Sequence, residues 1–240
     1  MRSKEYLKIF SRTLLIAFAA IFLLTLFLAG VLMMFAPAVA ADLSYALRLK
    51  GLSISLAETQ YNRGEDINYI ASAIDRAIEF DKPVNIIKDV PLILENPDYK
   101  DYCEFRDAKT ADSKYKDNIL FGYDNYVKKA YISALYKMND KERALNFVLS
   151  DIRSDNLNWT VSGYLTGFLS DKNAPEISAE VYDEIEKYAK ALADSGNGEF
   201  IRAGSTKDIA RAKYISADMV LFAGKLNKDA SYWVDNIEAL

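Results

Sequence analysis

The feature that most constrains this chain is a run of 24 residues, Thr13 to Ala36, that contains no charged side chain. At about 1.5 Å of rise per residue, a helix of this length reaches about 36 Å, enough to cross a hydrocarbon core of about 30 Å with some tilt. We therefore predict that residues 13–36 form a transmembrane helix in contact with the lipid bilayer, and that the protein crosses the membrane once.

A cleaved signal peptide is the competing interpretation of the same run. Ala38-Val39-Ala40 follows Pro37 and fits the small-x-small pattern of a cleavage site, which would place cleavage after Ala40. The apolar segments of signal peptides are typically about 7 to 15 residues long, so the length of this run favours an uncleaved anchor. Under either interpretation the main domain lies on the same side of the membrane.

The charges on the two sides of the apolar run predict its orientation. Residues 1–12 contain four basic residues and one acidic residue, whereas Arg48 and Lys50 are the basic residues that follow the run most closely. Basic residues favour the cytoplasmic side of a membrane segment. We therefore expect residues 1–12 to be a cytoplasmic tail, residues 37–41 a linker, and residues 42–240 an extracytoplasmic domain of a cell-membrane protein.

The composition of the main domain excludes several classes of function. With four of the 30 basic and one of the 34 acidic residues in the tail, residues 13–240 hold 26 basic and 33 acidic residues, a formal charge of −7. We therefore expect the domain to bind neither nucleic acid nor an anionic lipid surface. The sequence has no histidine, which excludes His-based acid–base catalysis and the usual zinc sites. Cys103 is the only cysteine, and we expect its thiol to be buried and inert.

Apolar residues recur at three- and four-residue steps through most of the domain, which indicates an all-α fold. We predict nine or ten helices after the membrane segment. They include residues 42–64, 66–81, a short helix from Pro83 that Pro91 should kink or end, 126–137, 141–152, 161–169 and 176–193, then a helix from Ser205 and a final one through Tyr232. Residues 96–118 are rich in Asp, Lys and Tyr, and we predict a long loop with one short helix there, a candidate contact site for a partner.

Short stretches of the domain resemble tetratricopeptide repeats. Residues 76–81 (RAIEFD), followed by Pro83, are similar to the K-A-L-E-L-D-P that closes such a repeat, and residues 139–144 (NDKERA) are similar to its G-D-Y-E-E-A turn. The turn at Lys137-Met138-Asn139 recurs at Lys225-Leu226-Asn227. The resemblance implies an α-solenoid with a concave, protein-binding surface and no chemistry. The alternative is an unrelated, irregular helical bundle.

A second resemblance points to an enzyme. Residues 58–62 (ETQYN) resemble the E-S-x-F-N motif of soluble lytic transglycosylases, all-α enzymes that cleave peptidoglycan, and the resemblance implies that Glu58 is the general acid. The G-L-M-Q motif that should follow is absent, since residues 70–80 contain no glycine. The alternative is that Glu58 is a surface residue near the end of an amphipathic helix.

We assign no catalytic residue, cofactor or metal ligand from the sequence. The four carboxylates Asp98, Asp101, Glu104 and Asp107 recur every three residues but lack the spacing and the glycine of a calcium loop, so we interpret them as a solvated face. The preferred hypothesis is a membrane-anchored helical module that binds other membrane or envelope proteins as a scaffold, accessory subunit or tether. The alternative is a transglycosylase-like enzyme or its inactive descendant. A ligand-sensing ectodomain is disfavoured, because we expect no output domain after the last helix.

Overall fold

The computed structural model describes residues 2–111, 122–154, 160–172, 176–197 and 206–239. These residues form twelve α-helices and contain no β-strand, which confirms the all-α prediction. The chain divides into two compact units, Met1–Phe80 and Asp81–Leu240. Eleven of the twelve helices follow the first one, so the domain has more helices than the nine or ten that the sequence predicts.

Unit 1 contains four helices and begins with the long apolar one. These helices are α1 (Arg2–Phe35), α2 (Pro37–Ala46), α3 (Lys50–Gly64) and α4 (Ile67–Glu79). Within the described residues, one segment, Arg12–Phe35, is long and apolar enough to cross a membrane by length and composition. Its large side chains are exposed, for example Leu15 at 72% and Phe27 at 67%. The segment agrees with the predicted span to within one residue at each end.

The chain after α1 differs from the prediction in two places. The residues predicted to be a linker, 37–41, form the start of α2, because Pro37 occupies the first helical turn, where its fixed φ and missing N–H are tolerated. The single helix predicted for residues 42–64 is two helices. Arg48 has a φ of +58° and separates α2 from α3, whereas Gly64 ends α3 as predicted.

Helices α3 and α4 form the core of unit 1. Their buried apolar residues include Ile54, Ala57, Ile70, Ile74 and Ala77. The carboxylate of Asp66 caps α4 by accepting a hydrogen bond from the backbone N–H of Asn68 at 2.9 Å. The buried Arg76 donates to the carbonyl oxygen of Ser53 at 2.9 Å and to the carboxylate of Asp42 at 2.6 Å, so its guanidinium links α4 to both α3 and α2.

Unit 2 contains the other eight described helices. They are α5 (Pro83–Leu94), α6 (Tyr99–Ala111), α7 (Tyr123–Lys137), α8 (Lys141–Ile152), α9 (Thr160–Ser170), α10 (Ala179–Asn197), α11 (Thr206–Lys225) and α12 (Ser231–Ala239). Helix α7 packs against α5, α8 and α9, and α11 packs against α9, α10 and α12. The bounds of α8 are those that the sequence predicts. Helix α5 continues three residues beyond Pro91 instead of ending there.

The segment predicted to be a long loop with one short helix contains a 13-residue helix, α6. Its weak apolar periodicity concealed the length of this helix, because its packing onto α7 uses tyrosine and charged side chains. Tyr99 donates a hydrogen bond to the carboxylate of Asp124 at 2.8 Å, and the guanidinium of Arg106 lies 4.2 Å from the ring centre of Tyr123. Residues 112–118 of the predicted loop lie outside the described residues.

The repeated lysine-x-asparagine turn has the same backbone geometry in both copies. Asn139 and Asn227 have left-handed φ values of +60° and +53°. In each copy the residue after the asparagine donates to the carbonyl oxygen five residues earlier, at 2.9 Å. This pattern is a Schellman-type helix end, for which asparagine is second only to glycine in tolerance of the left-handed region.

Candidate functional site

A pocket of about 480 Å³ lies beside the contact between α7 and α9 in unit 2. Helix α7, the turn that follows it, the start of α8 and helix α9 form its wall. The lining residues are Lys129, Ser133, Tyr136, Lys137, Asn139, Lys141, Gly163, Thr166, Gly167, Ser170 and Asp171. We call this cavity the α7–α9 pocket.

Two glycines on α9 determine how closely α7 approaches the pocket. A Cβ atom placed on Gly167 would lie 2.7 Å from Cδ2 of Tyr136, and one placed on Gly163 would lie 3.0 Å from Cγ of Lys129. Side chains at these two positions would therefore force the helices apart. The four-residue spacing places both glycines on one face of α9, so this face presents backbone to α7.

The pocket lining is positively charged although the whole chain carries a net charge of −4. Three lysines stand against one aspartate in the lining. Lys141 forms an ion pair with Asp171 at 2.5 Å, and Lys137 pairs with Asp81, which is outside the lining. The ammonium group of Lys129 lies 5.9 Å from the ring centre of Tyr214. Such a lining favours ligands that carry carboxylate groups.

The uncharged polar groups of the lining are hydroxyls and one amide. Burial raises the pKa of Tyr136 to about 12, and burial also raises the pKa of Tyr164, whose ring centre lies 6.1 Å away. Both phenols are therefore neutral near pH 7. The Thr166 and Ser170 hydroxyls donate to backbone oxygens of α9 one turn earlier, at 2.9 and 2.8 Å, and keep their lone pairs available as acceptors. The lining is suited to recognition by charge and hydrogen bonding.

Glu58, the acid of the transglycosylase hypothesis, lies in α3 of unit 1 with its side chain half-buried. The α7–α9 pocket lies in unit 2, and Glu58 is not part of its lining. The next residue, Thr59, donates its hydroxyl to the carbonyl oxygen of Ser55 at 2.7 Å, as helical threonines commonly do. The catalytic role of Glu58 stays a prediction without support from this geometry.

One of the four regularly spaced carboxylates caps a neighbouring helix. Asp107 accepts a hydrogen bond from the backbone N–H of Tyr123 at 2.7 Å, at the first residue of α7. The N-cap residue of α7, Gly122, has a φ of +87° and no side chain with which to cap the helix, so Asp107 of α6 supplies the acceptor. In the described part of the chain, no group of three or more His, Cys, Asp or Glu residues could hold a metal ion.

Cys103 is buried, as the sequence predicts. Burial raises the pKa of its thiol to about 11, and the nearby carboxylates of Asp124 and Asp107 contribute in the same direction. The thiol is therefore protonated at neutral pH, and a protonated, buried thiol is a poor nucleophile.

Sequence reasoning missed the α7–α9 pocket as a whole. The spacing Gly163-x-x-x-Gly167 was the available signal, because two glycines one helical turn apart permit close helix contact in any helix pair. The identity of the facing helix, and therefore of the lysines at the rim, could not be read from that spacing.

No protein-family model, curated protein sequence or solved structure matches this chain. The fold alone therefore defines the class: an all-α protein whose described helices are compatible with an α-solenoid, with one N-terminal helix apolar enough to span a membrane.

Proposed function

We propose that this protein is a single-pass, membrane-anchored helical module that binds other membrane or envelope proteins and acts as a scaffold, accessory subunit or tether. Its N-terminus lies in the cytoplasm, α1 spans the membrane, and the helices from α2 onward lie outside. The observation that carries the proposal is the apolar surface of α1, which is exposed from Leu14 to Leu28.

The exposure of α1 supports the anchor. Its residues from Arg12 to Leu28 are exposed, residues 31–33 are half-buried, and Met34 and Phe35 at its end are exposed again. Fully burying one Leu or Phe side chain contributes about 1.5–3 kcal/mol, so a row of such side chains left in water would be costly. A lipid bilayer removes this cost. The length of the exposed part of α1 is close to the thickness of the bilayer's hydrocarbon core.

The α7–α9 pocket and the repeated helix ends support the binding role. Paired helices with matching turns are the elements from which tetratricopeptide-like surfaces are built, and such surfaces bind peptide segments. The pocket has a lysine-rich rim and hydroxyl acceptors. It is better suited to holding an acidic segment of a partner than to catalysing a reaction.

The anchor is tested with the full-length protein expressed in a bacterial inner membrane. We expect it to remain in the membrane fraction after alkaline carbonate washing. In a Cys103→Ala background, the thiol of a Val84→Cys variant should react with a membrane-impermeant maleimide added outside the inner membrane. Release by carbonate, or labelling only after the membrane is opened, would contradict the anchor or its orientation.

The binding role is tested by photo-crosslinking in cells. A photoreactive amino acid is placed at Ser170 or Lys137 in the pocket lining, and at Leu221 as a matched control, since Leu221 is 60% exposed and lies outside the lining. We expect the two pocket positions to give the same crosslinked partner, identified by mass spectrometry, and the control to give none. Equal products from all three positions, or none from any, would contradict the proposal.

A further inference from the structure

The large exposed apolar side chains of unit 1 that follow α1 are confined to one short segment. They are Val39, Leu43, Tyr45, Leu47, Leu49 and Leu52, with exposures from 37% to 61%. Residues 53–80 of the same unit contribute no large exposed apolar side chain. We call the six residues the juxtamembrane patch. An exposed apolar patch of this kind indicates a surface that binds another protein or a membrane.

Three members of the patch lie on one side of α2. Val39, Leu43 and Leu47 are spaced four residues apart, so they form one stripe along the helix and the residue after it. The other side of α2 carries the small residues Ala40, Ala41 and Ser44, which are buried. Helix α2 therefore uses its small residues for packing within unit 1 and presents its larger apolar residues outward.

Contacts within unit 1 place α2 at the end of the apolar span. Ala40 and Ala41 of α2, together with Leu56 of α3, pack against Leu32 and Met33 of α1. Leu32 and Met33 lie in the last turns of the span. The backbone leaves helical values at Ala36, with φ −141° and ψ 60°, so α1 and α2 are separate helices whose contact lies level with the end of the span.

The chemistry of the patch fits the boundary between lipid headgroups and acyl chains. Tyr45 has an apolar ring and a polar hydroxyl, the combination favoured at membrane interfaces. Arg48 and Lys50 are exposed next to the apolar residues; Arg48 pairs with Glu79 at 2.9 Å, and Lys50 is a cation that can meet phosphate groups while its stem covers apolar surface. The headgroup layer on each side of the core is about 5–8 Å thick. A helix with its side chains is about 10–12 Å across, so a helix lying flat there reaches from the headgroups into the upper acyl chains.

We propose that α2 and the start of α3 lie on the outer surface of the bilayer, with the juxtamembrane patch inserted at the level of the headgroups and upper acyl chains. This inference rests on the proposed membrane anchor and adds a second contact with the same membrane. The second contact would keep α2–α4 of unit 1 at the bilayer surface, so that they would not move freely at the end of the anchor.

The test uses the full chain in liposomes, with Cys103 replaced by Ala and an environment-sensitive fluorophore on one new cysteine. The test positions are Leu43 and Leu47. Phe22 serves as the control for the anchor, because it lies in the middle of the span, and Val84 serves as the control for an aqueous site, because it is 60% exposed in unit 2. Quenching is measured with iodide in the water and with nitroxides attached high or low on the lipid acyl chains. Circular dichroism establishes that each variant retains its helices.

We expect the probes at Leu43 and Leu47 to lose iodide quenching relative to Val84 and to be quenched most by the shallow nitroxide. The probe at Phe22 should be quenched most by the deep nitroxide. If the Phe22 probe behaves in this way while Leu43 and Leu47 are quenched by iodide as strongly as Val84, the interfacial inference is wrong and the anchor stands. If Phe22 is quenched by iodide, the anchor itself fails.

Discussion

The ammonium nitrogen of Lys225 lies 2.8 Å from the backbone carbonyl oxygen of Phe168, to which it donates a hydrogen bond. It also donates to the carbonyl oxygens of Asp171 at 2.7 Å and Leu169 at 3.4 Å, so the last residue of α11 meets two close carbonyl groups and one more distant one at the end of α9. Lys137 holds the same position in the other copy of the lysine-x-asparagine turn. Its ammonium instead pairs with Asp81, whose side chain is 72% exposed.

Replacing Lys225 with Met should therefore destabilise unit 2 by about 1–2 kcal/mol, because two carbonyl groups lose a charged donor. Lys137→Met is the matched control and should have a much smaller effect, since exposed ion pairs contribute little. The sequence has two tryptophans, both after residue 81, and Trp233 is buried in α12 of unit 2, so urea unfolding followed by tryptophan fluorescence measures this unit. Equal effects of the two substitutions would contradict the assigned role of Lys225.

The close contact of α7 with α9 predicts a large effect at Gly167. Gly167→Ala would place a methyl group 2.7 Å from the Tyr136 ring, and we expect a loss of about 1–3 kcal/mol as the helices separate. Gly224→Ala is the control, because a Cβ atom there meets nothing within 4 Å. The control should stabilise α11 by up to about 1 kcal/mol through helix propensity. A neutral Gly167→Ala variant would show that the contact is looser than described.

Lys128 lies between two carboxylates, at 3.0 Å from Asp124 and 2.8 Å from Asp151. Lys128→Met would leave these carboxylates facing each other without a cation, and we expect a loss of about 3 kcal/mol. Adding Asp151→Asn to this variant should recover part of the loss, which denaturant unfolding can measure. No recovery in the double variant would mean that packing of the lysine stem, and not charge, makes the contribution.

Alkaline pH should unfold unit 2 through its buried tyrosines and Lys128. Burial raises the pKa of Tyr136 to about 12 and also raises the pKa values of Tyr99 and Tyr164. Desolvation opposes the charge of Lys128, but Asp124 and Asp151 outweigh it and raise the Lys128 pKa. The pKa values of these groups are higher in the folded protein than in the unfolded chain, so their contribution to the stability of the fold is complete below a pH of about 10. This contribution is lost as the pH rises toward about 12.

Ultraviolet absorbance of tyrosinate, recorded together with circular dichroism, tests this expectation. A fraction of the tyrosines should ionise only as the helices unfold. Titration of all 16 tyrosines near their ordinary pKa while the helices persist would contradict it.

Cys103 should react slowly with thiol reagents in the folded protein. Its burial and its pKa of about 11 keep the thiol protonated at pH 8. We expect Cys103 to be modified rapidly once denaturant unfolds the protein. The control is Val84→Cys in the Cys103→Ala background, whose thiol should react rapidly without denaturant. Rapid labelling of Cys103 in the native protein would show that the contact between α6 and α7 opens readily.

Local sequence signals predicted most helices of this protein. The bounds of α8 and the end of α3 at Gly64 follow from periodicity, capping and turn residues, which act over a few positions. The same reasoning predicted one short helix within residues 96–118 but not the length or bounds of α6, because the contacts of α6 with α7 are polar and aromatic and leave no apolar stripe. It also missed the break at Arg48, since no glycine or proline marks that left-handed residue.

The sequence by itself determined the apolar segment long enough to span a membrane, the all-α class and the absence of histidine chemistry, because these depend on composition and local spacing. Only the tertiary structure decided which residues meet at the α7–α9 pocket. Lys129 is on α7 and Asp171 directly follows α9, and they share one pocket because Gly163 and Gly167 let these two helices approach. The tertiary structure likewise buried Ala40 and Ala41 against α1 and left Leu43 and Leu47 exposed, because packing decides which side of a short helix faces inward.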